Sequence, residues 1–294
     1  MRPSRSPAPG RPEFRPLSCL SGRVLAVAAR SARAFPRHSH DRFGIGLILS
    51  GAQASASGRG PVTAGPGALI TVNPGEVHDG RPIGGARAWR MLYLDPDLVA
   101  AARAALAPDL RTGQEFTAPV LDRPGLAPLF ARLYRAATAG KDDTGRMAFD
   151  AALAEALVLL CGGDDRGRRP PPPAPVARAR DFLHDRQDGP VALAELAAVA
   201  GISPWHLSRR FAAEFGLPPH AYLVQLRLAA ARRLIAGGTP LSAAAAEAGF
   251  ADQSHLTRLF RRQFGYTPAD FARAGHPRAP AQEHSRPAPA PARS

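Results

Sequence analysis

The chain has 294 residues, 45% of them hydrophobic, which is enough apolar material for two domains with a core each. Two cysteines, Cys19 and Cys161, exclude a disulfide framework or a Cys-rich zinc site, and the longest apolar stretch, Ala151–Leu160, is too short to span a bilayer and carries Glu155. The net charge of +14 favours a polyanionic partner, but the arginines are spread along the whole chain, so their placement matters more than their number.

Residues 1–16 are rich in Pro, Arg and Ser and predict a disordered tail, with no apolar segment of the kind a signal peptide needs. A cytoplasmic protein without membrane contact is the expectation. Across 17–94, short apolar runs alternate with Gly and Pro: Val24–Ala28, Ile45–Leu49, Ala68–Val72 and Trp89–Leu94. Gly65-Pro66-Gly67 and Asn73-Pro74-Gly75 flank one run as turn signals, which predicts a small antiparallel barrel or sandwich. Helices are predicted over Pro96–Leu106, Pro124–Thr138 and Thr144–Leu160, completing an N-terminal domain over 17–160. Leucine stripes on the last two (Leu126, Leu129 and Leu133; Leu153, Leu157 and Leu160) suit either the domain's own core or a homodimer surface. Residues 161–176, with Pro170 to Pro173, read as an extended linker.

Everything from 177 to 275 reads as helical: Val176–Arg186, Leu193–Ala200, Pro204–Phe215, Pro219–Ala236, Leu241–Ala248, Gln253–Phe264 and Pro268–Ala274. A second Pro/Ala/Arg-rich tail, again predicted disordered, occupies 276–294.

This helical region contains a repeat. Ala200-Gly201-Ile202 recurs as Ala248-Gly249-Phe250. After one inserted residue, Leu207, Arg209, Phe211, Phe215, Gly216 and Pro219 recur as Leu256, Arg258, Phe260, Phe264, Gly265 and Pro268. Each copy is a short Ala-rich helix, a glycine that can take positive φ, an apolar plug and a second helix with one buried face. That is the pattern of a helix-turn-helix. The outward face of the second helix carries Trp205, His206, Ser208, Arg209 and, toward the back, Arg210 in the first copy. In the second copy it carries Gln253, Ser254, His255, Thr257, Arg258, Arg261 and Arg262. These side chains match base edges and phosphates: Arg pairs bidentately with guanine, Gln with adenine, Ser or Thr with either. The helix between the copies, at about 1.5 Å per residue, is roughly 27 Å long, able to set two helices in successive major grooves about 34 Å apart. Plain helical hairpins in a bundle would explain the buried face, but neither the duplication nor Trp205.

Residues 177–274 resemble the double helix-turn-helix domain of AraC/XylS-type transcription regulators. The resemblance rests on Ala198–Phe215 and above all on Gly249–Pro268. It implies a sequence-specific regulator of double-stranded DNA, with base-facing roles for Trp205, His206, Ser208, Arg209, Gln253, Ser254, Thr257 and Arg258. His255 matches a position that varies in type. It also implies a small-molecule effector, and leaves open a homodimer and a contact with RNA polymerase.

The N-terminal domain, with His38-Ser39-His40 and later Asn73-Pro74-Gly75-Glu76-Val77-His78, resembles the cupin-like sensor barrel of such regulators. In metal cupins this pattern supplies three histidines and a glutamate. Here His38, His40 and His78 match, but Asp41 to Ile45 offer no carboxylate at the expected place. Three readings remain: a metal-free effector pocket drawing on His38, His40, Glu76, His78, Trp89 and Tyr93, with Arg42 nearby; a metal-occupied pocket; and histidines merely hydrogen-bonded within a barrel. The first is taken, with no cofactor and no enzymatic activity. A metal-dependent cupin enzyme fused to a DNA-binding domain, or an architectural DNA binder, are the competing functions. The fold class is therefore a cupin-like β-barrel with following helices, then an all-α double helix-turn-helix domain.

Overall fold

The computed structural model describes residues 13–17, 19–106, 115–139, 142–161 and 172–275. The expected tail over 276–294 and most of the linker lie outside them.

Eight strands among these residues form one antiparallel sheet: β1 (Glu13–Leu17), β2 (Val24–Ser31), β3 (Phe35–His38), β4 (Phe43–Ser57), β5 (Gly60–Ala64), β6 (Leu69–Val72), β7 (His78–Leu94) and β8 (Val120–Leu121). The order is β1-β2-β7-β4-β6-β8, with β3 on β7 and β5 on β4. The four apolar runs fall in β2, β4, β6 and β7. β4 and β7 are far longer than their runs because their other halves carry polar residues. That ribbon pairs Ser57 with His78 and bends at irregularities between Ile48 and Ala52. One face of the rolled sheet packs on α1 (Pro96–Leu106), α2 (Leu126–Thr138) and α3 (Asp143–Cys161).

Three expectations change here. Residues 13–16, assigned to the tail, belong to β1, where Phe14 meets Phe35 and Trp89 edge-on at 5.8 Å each. Pro124 does not open α2, because Gly125 takes φ 90° first. The leucine stripes of α2 and α3 are all buried in the core against the sheet, at about 1.5–3 kcal/mol per side chain, so they form no dimer surface. The outward face of α3 instead exposes Met147, Val158 and Leu159.

The C-terminal region is α4 (Ala174–Asp185), α5 (Leu193–Ala200), α6 (Pro204–Phe215), α7 (Pro219–Ala236), α8 (Leu241–Glu247), α9 (Gln253–Phe264) and α10 (Pro268–Gly275). The linker is thus shorter than 161–176: Cys161 ends α3 and Ala174 opens α4 after Pro173. Gly201 ends α5 in the left-handed region, its N–H donating to Ala198 O at 3.1 Å while Ile202 N donates to Ala197 O at 3.2 Å along the predicted turn. Gly249 does the same work after α8 at φ 79°, and a Cβ there would lie 2.7 Å from Asp188 O.

The two helix-turn-helix units are packed differently. The first has its own core of Val176, Leu183, Leu196, Leu207, Phe211 and Leu223. The second shares a core with the sheet: Phe250, Leu256, Phe260 and Tyr266 are continuous with Val27, Ile48, Trp89 and Met91. α7 bridges both, giving Leu223 to one and Leu228, Ala231 and Ile235 to the other. Among the described residues no helix is long and apolar enough to cross a membrane.

Candidate nucleic-acid interface and ligand cavity

α6 and α9 begin in the same way. The Ser203 side chain accepts from His206 N, and Asp252 Oδ1 accepts from His255 N at 2.6 Å. Each cap satisfies an amide that the helix start would leave unpaired and fixes where the first turn points. Leu207 and Phe211, like Leu256 and Phe260, anchor the inner faces with no exposed surface.

The outer faces carry the side chains that the sequence places there, with the exception of His255. Trp205, His206, Arg209 and Arg210 are exposed and Ser208 is half-buried. Trp205 is 64% exposed, unusual for so large an apolar ring. The Arg209 guanidinium lies 5.5 Å over that ring, one turn along the same face. On α9, Gln253, Ser254, Arg258, Arg261 and Arg262 are exposed and Thr257 is half-buried. At about 100° per residue, Arg210 and Arg262 fall at the edges of their faces. His255 turns inward and packs edge-on against Phe250 at 5.5 Å, so its environment is that of a packing residue.

One residue beside the α9 face was invisible in the sequence. Arg33, just past β2, lines an open hollow with Gln253, Ser254, Thr257, Arg258, Arg261 and Arg262. It donates to Arg262 O at 2.9 Å and Arg261 O at 3.4 Å, placing a cation on the carbonyl end of α9. Burial, then Arg261 and Arg262, lowers its pKa.

The rolled sheet encloses a cavity of about 100 Å³, room for several waters or a small organic body. Its apolar wall includes Phe14, Val27, Phe35, Ile70, Trp89 and Met91. His38, His40, His78 and Tyr93 line one end, and the C-terminal region closes it with Gln263, Phe264 and Tyr266. Trp89 is buried beneath the guanidinium of Arg87, whose carbon lies 4.6 Å from the ring centre. Arg87 is only 1% exposed, donates to Gln53 Oε1 at 2.7 Å and Arg33 O at 3.1 Å, and has its pKa pushed down to about 10 by burial.

The three histidines meet because β3 and β7 pair His38 with His78, and His40 follows two residues later. Ring centroids are 4.4 to 5.2 Å apart. His38 Nδ1 lies 2.7 Å from Pro36 O, and His78 Nδ1 3.1 Å from Glu76 O. His40 Nδ1 is buried with no hydrogen-bond partner. Burial, reinforced by His78, lowers His38 to about 3; burial lowers His78 to about 4 and His40 well below its ordinary value. All three are neutral imidazoles at pH 7. Tyr93, 4.9 Å from His40, is raised to about 12 by burial.

Glu76 borders the cavity, but its carboxylate is occupied. Both oxygens accept from Arg59, at 2.8 and 2.7 Å, and one takes the Asn73 amide at 3.0 Å. Arg59 also reaches Thr71 O and Phe116 O, so the pair braces the Asn73-Pro74-Gly75 turn. Arg42 is buried elsewhere, donating to Gly22 O at 3.2 Å, and does not line the cavity. Asp41 pairs with Arg232 and Arg233 of α7.

Comparison with known proteins agrees with both halves. Residues 22–159 match the model of an AraC-like ligand binding domain, and residues 196–274 match a helix-turn-helix domain model. The HTH-type transcriptional regulator YbfI of Bacillus subtilis (strain 168) is 28% identical over 228 residues, covering 76% of this chain and 81% of its own. The HTH-type transcriptional activator RhaS of Klebsiella pneumoniae (strain 342) is 26% identical over 243 residues, covering 81% and 87%. Among solved structures, unsaturated fatty acid bound ToxT from Vibrio cholerae strain SCE256 superposes with a TM-score of 0.53 over 87% of this chain and 97% of its own, at 12% identity.

Proposed function

Because the chain belongs to the AraC-type transcriptional regulators, with a ligand-binding domain and a helix-turn-helix DNA-binding domain in one polypeptide, we propose that an organic effector in the sheet cavity controls how α9 meets DNA. One observation carries this reading: α9 belongs to both sites. Its first turns present Gln253, Ser254, Thr257 and Arg258 outward, and its last residue, Phe264, is part of the cavity wall. A ligand that moves Phe264 must move the helix or strain it. The effector this cavity suits has an apolar or aromatic body against Phe35, Trp89 and Met91, and polar atoms facing the histidines, Gln53 or Tyr93.

In the same reading α6 and α9 lie in successive major grooves. Trp205, His206, Ser208, Arg209, Gln253, Ser254, Thr257 and Arg258 face bases; Arg210, Arg261 and Arg262 face the backbone. The reading includes no catalytic step, places the protein in the cytoplasm and leaves room for a homodimer and an RNA polymerase contact. Sedimentation velocity of the full chain on and off DNA would read the dimer directly.

The test begins with a genome-wide binding profile, which supplies an operator. A small-molecule panel is then screened for thermal stabilisation of the full chain. A hit should change operator affinity by roughly 5–150-fold, and the operator should change the affinity of the hit by the same factor. Trp89→Ala should abolish stabilisation by the hit, and its melting curve without ligand separates this from the loss of packing in the shared core. Ligands that bind the cavity without altering operator affinity would end the reading.

A further inference from the structure

We infer that His38, His40 and His78 together hold a divalent transition cation of the zinc type, at the wall where the sheet meets the second helix-turn-helix unit. One potential ligand nitrogen from each ring lies within 4.8 Å of the others. Three imidazole nitrogens at about 2.0–2.1 Å from a tetrahedral zinc stand roughly 3.3 Å apart, so rotations of the rings close the difference.

The hydrogen bonds around the rings already suit a metal. A carbonyl oxygen can only accept, so Pro36 O and Glu76 O place the protons of His38 and His78 on Nδ1. Their Nε2 lone pairs are thereby left bare. Donation of the second ring nitrogen to a backbone carbonyl is the usual support behind a metal-bound histidine, because it fixes tautomer and ring direction together. His40 supplies the complementary sign: its Nδ1 is buried without a partner, an arrangement that a bonded ion would relieve.

The donor set also selects the ion. The nearby carboxylates are engaged, Glu76 with Arg59, Asp41 with Arg232 and Arg233, and the cavity-lining Asp79 with the Ala56 amide at 2.8 Å, and none of them joins the cluster of histidine nitrogens. That leaves neutral nitrogen ligands, which suit zinc and its neighbours and not magnesium or calcium, whose ligands are oxygens. Three protein ligands leave a fourth position, and the cavity lies beside it, so an oxygen or nitrogen of an effector can complete the sphere. The His40 ring is 6.1 Å from that of Phe264, so the ion sits against the end of α9. The inference deepens the sensor reading of this cavity, and depends on that reading only for the ion's regulatory consequence.

The test uses the full chain, purified in chelator and then exchanged into metal-free buffer. Titration with zinc chloride alone should show one tight site per chain, and cobalt(II) chloride should give the intense visible bands of a tetrahedral nitrogen-rich site. H38Q, H40Q and H78Q should each weaken this binding on the order of a hundredfold, while H220Q, on an exposed histidine of α7, should leave it unchanged. Melting curves without metal confirm that each variant folds. If a variant does not fold, cobalt spectra of the unsubstituted chain decide. Absence of tetrahedral bands, or bands that survive H38Q and H78Q, would overturn the site. Because this titration contains no organic ligand and the effector screen runs in chelator, either reading can fail without the other.

Discussion

Arg258 illustrates how a single side chain is assigned a role. It is exposed on α9, one turn from Ser254, with the cap at Asp252 fixing the first turn behind it. Arg258→Ala should cost about 1–3 kcal/mol of specific operator binding. Gel-shift titrations on operator and on random DNA check it, and equal losses on both would make Arg258 a phosphate contact. The histidines teach the opposite lesson. Their residue types and spacing were legible, but their tautomers, the bare nitrogens and the engaged carboxylate of Glu76 were not. Those depend on backbone carbonyls and on Arg59, seventeen residues from its partner in sequence.

At the scale of elements, the duplicated unit makes two predictions. Arg209 and Arg258 occupy equivalent positions, so Arg209→Ala and Arg258→Ala should weaken different halves of one site. Footprinting should show two protected patches about 10 base pairs apart per subunit. A single patch would mean that only one unit engages. The turn glycines give a stability prediction. Gly249 and Gly238 both have positive φ, but a Cβ at 249 meets Asp188 O at 2.7 Å whereas one at 238 meets nothing within 4 Å. Gly238→Ala should therefore cost only the backbone strain, about 1–2 kcal/mol, and Gly249→Ala distinctly more. Chemical denaturation of the two variants would compare them, and equal losses would show that Asp188 yields freely. Helix bounds were read well because caps, turn glycines and i, i+4 apolar spacing are local. The strands fared worse: β3, β5 and β8 are short, and the polar halves of β4 and β7 face a cavity, so the apolar signal stops partway along them.

The whole molecule is held together by contacts between its halves. Arg232, 3% exposed, pairs with Asp41 across the boundary, Gln263 donates to Ser39 O at 3.0 Å, and Ser39 N donates to Gln225 Oε1 at 3.3 Å. Asp41→Asn removes the charge facing a buried guanidinium, which is a costly state. Hydrogen exchange of the full chain should then quicken around 39–41 and 225–233, with operator affinity shifting even without effector. Unchanged exchange would show that the shared apolar core alone fixes the contact. Phe260→Ala addresses that core and should cost about 3–5 kcal/mol. Its melting transition should report the sheet and the second unit together, because they share one cluster.

By itself the sequence determined the two helix-turn-helix units, most of their outward residues and the strand-rich domain with its three histidines. Each follows from patterns that repeat within a few residues, and such patterns survive in a linear string. The tertiary structure alone decided that the second unit packs on the sheet while the first does not. It also decided that Phe264 and Tyr266 close the cavity, that β1 includes residues assigned to a tail, and that Arg33 reaches the end of α9. These contacts join residues about 190 to 230 positions apart. Such pairs carry no periodicity, and their partners are chosen by shape and charge only once the chain has folded.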